Sequence, residues 1–132
     1  MKRKNRSTIP AFLLLCAILG NLLVAQASEV MPLYIGIGSI TTGLTISDDG
    51  KATCDGTVVL RSGYTADVTV ELKQDGTTIK TWTASGNMRV PAGGIYYVAS
   101  GHLYIVKTTA DVYDSDGNWV ETQTGYSLSK HY

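Results

Sequence analysis

Asp114-Ser115-Asp116-Gly117-Asn118 has the look of a cation site, because closely spaced side-chain oxygens of this kind open calcium loops, where a hard cation is met by several oxygens. A helix-flanked calcium loop also needs a bidentate acid further on, and this stretch has neither that acid nor helical neighbours. Asp-Gly is an ordinary hairpin signal, so Asp114 and Asp116 read as turn residues and no metal is expected. Cys54 is a second chemical candidate, a thiol that would react if it were ionised. Its position in an alternating segment puts it with the inward residues, where apolar surroundings disfavour the thiolate and keep it inert. Ser-His-Asp hydrolysis needs a histidine held by a carboxylate and facing a serine. The chain has only His102, in a Ser-Gly-His turn, and His131, beside Tyr132. Two histidines without paired cysteines are also a poor zinc set. The residues therefore predict no catalytic group, no metal and no cofactor.

Aromatic side chains are the remaining resource. Eight tyrosines, at 34, 64, 96, 97, 104, 113, 126 and 132, are joined by Trp82 and Trp119. Tyr104 and Trp82 are expected in the core. Tyr64 falls in a Ser-Gly-Tyr turn, Tyr113 on the outward parity of its strand, and Trp119 faces outward if Val120 faces in. These three are the candidate ligand-facing residues, since an exposed aromatic offers rigid area with a polar tip for stacking on a sugar or anchoring a protein. The plainer reading is that tyrosine and threonine suit strand surfaces.

Positioning those residues falls to the chain beyond residue 27. Lys2, Arg3, Lys4 and Arg6 precede an uncharged apolar run from 11 to 25 that ends in Ala25-Gln26-Ala27, the order of a secretory signal with cleavage after Ala27. An uncleaved anchor fits less well, because Asn21 and Gln26 interrupt a run already short of the about 20 apolar residues a span needs. A lipoprotein reading fails because Cys16 follows three leucines. Four of the 11 basic residues leave with the signal and none of the 11 acidic ones, so the mature chain carries a net charge of about −4. That excludes the basic footprint that nucleic acid requires and disfavours an anionic membrane surface. A secreted, extracellular product is expected, and with Cys54 alone remaining it has no internal disulfide.

Residues 28 to 132 suffice for one core. Apolar residues recur with period two between clusters of Asp, Gly and Ser, and no helical period competes. Ala52, Cys54, Gly56, Val58 and Leu60 share one face of a strand, as do Ala66, Val68, Val70 and Leu72, and Tyr104, Val106, Thr108, Ala110 and Val112. Asp75-Gly76 predicts a two-residue hairpin between strands at 65 to 74 and 77 to 84. Further strands are expected at 40 to 46, 95 to 99 and 119 to 127, with residues 28 to 39 as a lead-in and 90 to 94 as a turn. About seven short strands in roughly 100 residues predict an all-β immunoglobulin-like or fibronectin-like sandwich, with a small closed barrel as the competing architecture. Two details favour the sandwich. Cys54 occupies the site of the first bridge cysteine, and Tyr104-Ile105-Val106 has the form of a tyrosine corner with valine replacing the second cysteine.

Gly50-Lys51-Ala52-Thr53-Cys54, the alternating segment ending at Trp82, and Tyr104-Ile105-Val106-Lys107 resemble small secreted proteins of Gram-positive bacteria that share a domain of unknown function. The resemblance runs over about residues 40 to 127. It implies an Ig-like or fibronectin-like sandwich and supplies no catalytic residues. The expected function is a non-catalytic extracellular binding module for a cell-surface glycan, a protein or another copy of itself. A structural envelope protein without a ligand, and a calcium-dependent or hydrolytic protein, are the alternatives.

Overall fold

The computed structural model describes residues 34–132. The signal expected at 1–27, its cleavage site, Cys16 and residues 28–33 of the lead-in lie outside the described residues. Eight strands form, with no helix among them: β1 (Ile37–Ile46), β2 (Lys51–Leu60), β3 (Thr65–Gln74), β4 (Thr77–Asn87), β5 (Arg89–Tyr97), β6 (Leu103–Tyr113), β7 (Trp119–Tyr126) and β8 (Lys130–His131). β1-β2-β5 make one sheet and β4-β3-β6-β7 the other, with β8 on the free stretch of β6 beyond β7. Every pairing is antiparallel. The two sheets stack as a β-sandwich.

Strict alternation accounts for the three central strands. The even-numbered residues of β2, of β3 as far as Leu72, and of β6 are buried and point between the sheets, while their odd-numbered neighbours face solvent or lie half-buried. Val58, Val68, Val70, Leu72, Tyr104, Val106 and Val112 are fully enclosed. Cys54 sits among them as a free, buried thiol. Gly56 faces the opposite sheet with no room for a side chain. A methyl group there would lie 2.8 Å from Val70 Cγ2 and 3.0 Å from Thr108 Cγ2, so the glycine makes room for threonine from the opposite sheet. Thr108 in turn accepts a 2.8 Å hydrogen bond from the Thr42 hydroxyl, which satisfies a polar group inside the core.

Turn chemistry sets the registers. Asp75 and Gly76 have φ of 50° and 86°, the paired positive angles of a type I′ turn, and β3 and β4 pair directly across it. Tyr104, the second residue of β6, donates its phenolic hydrogen to the carbonyl of Ala99, five residues upstream, which locks the β5–β6 crossing.

Three departures from expectation have local causes. The segment 90–94 is strand, not turn: β5 runs through it and pairs with β2 from Arg89 to Tyr97. Pro91 is tolerated because β5 is an edge strand, where a missing N–H breaks no ladder. The chain instead crosses from one sheet to the other at Met88, a non-glycine residue at φ 60°. Second, β1 begins at Ile37, and a bulge between Ile37 and Ser39 brings Ile37 into the core alongside Leu44. Third, Trp82 is half-buried rather than enclosed, closing the seam where β4 and β5 face each other; its indole lies against Gly94, where a Cβ would be 2.5 Å from Nε1.

Candidate functional site

Tyr64, Tyr113 and Trp119 all come to one end of the sandwich. Thr65, which follows Tyr64, pairs with Tyr113 across β3 and β6, and Tyr113 pairs with Trp119 across β6 and β7. Trp119 is 59% exposed, yet its indole is held. Its N–H donates to Thr122 Oγ1 at 2.9 Å, and that hydroxyl donates to Asp111 Oδ1 at 2.6 Å. Tyr113 is half-buried beside it. Tyr64 is less free than its turn position suggests. Its ring lies over Gly36, where a Cβ would come within 2.6 Å of Cδ1.

A cleft of about 770 Å³ opens at this end, bordered by the β2–β3 loop, the Met88 corner and the β6–β7 turn. Its floor and walls are Val59, Leu60, Tyr64 and Met88, with Arg61, Arg89, Asn87 and the hydroxyls of Ser62, Thr65 and Ser115 at the margin. The volume lies within the range of small-ligand pockets. Met88 is 73% exposed despite being apolar. The corner is fixed, because the Leu60 N–H donates to the Met88 carbonyl at 2.7 Å. Trp119 and Tyr113 flank the cleft's end of the molecule without lining it.

A second fixture stands beside the cleft. Glu121 is buried, and its Oε2 accepts the backbone N–H of Ile35 at 2.8 Å and of Gly36 at 2.6 Å. Arg61 grips the same segment from its other side, donating from Nη1 to the Tyr34 and Ile35 carbonyls at 3.2 Å each. Two charged side chains thereby satisfy backbone groups that no neighbouring strand reaches. Glu121 turns inward because Val112 pairs with Glu121 while Tyr113 pairs with Trp119, which leaves Val120 as the extra residue of a bulge.

The other chemical candidates fall elsewhere or are occupied. Asp114 Oδ1 accepts the backbone N–H of Asp116 at 3.0 Å and of Asn118 at 2.9 Å, so this carboxylate closes the turn on its own backbone. No group of three or more His, Cys, Asp or Glu able to hold a metal occurs among the described residues. Burial, with a smaller contribution from the charge of Asp55, pushes the Cys54 thiol up to about 11. His102 lies at the opposite end of the sandwich, with Nδ1 2.5 Å from Asp75 Oδ2. Asp75 also accepts the Leu103 N–H at 3.0 Å, and these two contacts, the backbone one foremost, hold its carboxyl below the ordinary range. Among the described residues no serine hydroxyl is hydrogen-bonded to His102. His131 is exposed, and its strand pairs it with Leu103.

Sequence reasoning missed Arg61, Met88 and Arg89. Val59 and Arg89 are cross-strand partners 30 positions apart, and only the β2–β5 register brings them together. No family model matches this chain, and no curated protein matches it in sequence.

Proposed function

We propose that this chain is an exported, non-catalytic binding module of Ig-like or fibronectin-like type that holds its ligand in the cleft at one end of the sandwich. The strand order, β1-β2-β5 against β4-β3-β6-β7, and the Tyr104 hydroxyl bonded upstream both support that type. In such domains the loops gathered at one end carry recognition while the sheets hold them rigid.

The observation that carries the reading is the exposed Met88 at the mouth of an apolar concavity. A backbone at φ 60° is costly for a side chain of this kind and persists where the surrounding structure enforces it. Here the Leu60–Met88 hydrogen bond enforces it, and the outcome is a thioether displayed over Leu60 and Tyr64. Methionine adapts its shape to apolar partners, which suits a recognition surface better than a solvated corner.

Glycan and protein arrays probed with the secreted protein test this. Met88→Asp places a charge at the mouth of the cleft and is expected to abolish binding, with Trp119→Ala reducing it only partially. Binding that survives Met88→Asp, or no binding to any surface, refutes the reading and leaves a structural envelope protein.

A further inference from the structure

The same cleft has a charge pattern that the domain as a whole does not share. Residues 28–132 contain seven basic side chains, of which only two are arginines, Arg61 and Arg89. Both line this cleft, and none of the 11 acidic side chains does. A chain with a net charge of about −4 after export has therefore put its only guanidinium groups around this apolar concavity. The choice of arginine matters, because a planar fork matches a carboxylate with two parallel hydrogen bonds, which the point charge of lysine does not.

The two arginines have different tasks. Arg61 has its Nη1 committed to the carbonyls of Tyr34 and Ile35. Arg89 is exposed, and among the described residues its side chain makes no ion pair or hydrogen bond. It begins β5 directly opposite Val59, so its base is fixed by the ladder while its head stays available.

We infer that the cleft binds an acidic peptide, seating a large apolar side chain against Leu60, Tyr64 and Met88 while Arg89 takes the neighbouring carboxylate. This rests on the binding reading above and specifies its ligand. A peptide fits the lining better than a sugar does. Saccharide hydroxyls call for several carboxylate and amide acceptors, whereas Asn87 is the only side-chain amide here and the walls are largely aliphatic. Asn87 instead suits the amide and carbonyl of a peptide backbone.

Titration of the full secreted protein with acetyl-Trp-Leu-Glu-amide, acetyl-Trp-Leu-Gln-amide and a trigalacturonate oligomer, followed by NMR shifts at the cleft, decides the matter. The Glu peptide is expected to bind about tenfold more tightly than the Gln peptide, as a charge-assisted bidentate contact requires. Arg89→Gln is expected to erase that difference, and Arg89→Lys to restore only part of it. Equal affinity for the two peptides, tighter binding of the trigalacturonate, or shifts from none of the three overturns the inference. Because array binding lost on Met88→Asp is scored separately, the module can stand as a cleft binder while this ligand assignment fails.

Discussion

Gly56→Ala offers the sharpest test of how the two sheets meet. The added methyl would sit 2.8 Å from Val70 Cγ2 and 3.0 Å from Thr108 Cγ2, and both of those residues are fully buried, so neither can swing into solvent. Overpacking of this kind costs about 1–3 kcal/mol. Replacing glycine within a strand returns roughly 0.5–1 kcal/mol through the lower freedom of the unfolded chain. With both neighbours immobile the steric cost falls in the upper half of the overpacking range, about 2–3 kcal/mol. Sterics therefore win, with a net loss of about 1–2.5 kcal/mol, or roughly 5–15 °C in Tm for a domain of this size. The assay is urea and thermal unfolding of the wild type, Gly56→Ala, Thr108→Ala and the double variant. Thr108→Ala alone loses the bond from Thr42 and should cost about 1 kcal/mol. In the double variant the Thr108 atoms that crowd the methyl are gone, so the two effects should couple favourably by about 1 kcal/mol. Strict additivity, or a Gly56→Ala protein melting within about 2 °C of wild type, would refute the claim that this glycine exists to admit Thr108.

Tyr104→Phe removes the donor to the Ala99 carbonyl at no cost in ring packing and should destabilise by about 1–2 kcal/mol in urea. Cys54 should resist a thiol-specific reagent in the native protein at pH 8 and react fully in denaturant. Folding raises that thiol from near 9 to about 11, so its contribution to stability is complete below about pH 9 and is lost as pH climbs towards 11; Cys54→Val should remove that part of the alkaline loss. Asp75 shifts the other way. Its folded value is lowered, so its contribution is present above its ordinary value of 3.8 and fades as pH falls below it. Asp75→Asn should therefore be less stable at neutral pH and show a shallower acid transition.

The fold was legible wherever one face of a strand meets the core and the other meets water. β2, β3 and β6 read directly from their alternation, and Asp75-Gly76 and Tyr104 announced a hairpin and a corner through chemistry that few other residues supply. What could not be read shares one cause, which is that local signals were overruled by position in the sheet. Pro91, Gly93 and Gly94 look like a turn, yet an edge strand tolerates all three. Met88 carries no turn signature and still reverses the chain. Three bulges, at Gly38, Ile79 and Val120, interrupt the parity that alternation assigns, and the last of them buries the carboxylate of Glu121. The candidate site was half legible for the same reason. Tyr64, Tyr113 and Trp119 were visible as aromatics outside the expected core, of which Tyr64 lines the cleft, whereas the convergence of Arg61 with Arg89 depends on pairings between distant stretches of sequence.

Among the described residues Cys54 is the one thiol, free and buried, so the interior of the sandwich is held by packing and not by a covalent link. A sandwich held this way has no thiol–disulfide equilibrium to shift, so its stability should not depend on redox poise. Reductant in the buffer should leave its melting curve unmoved, and protein folded under reducing conditions should match protein folded under oxidising ones.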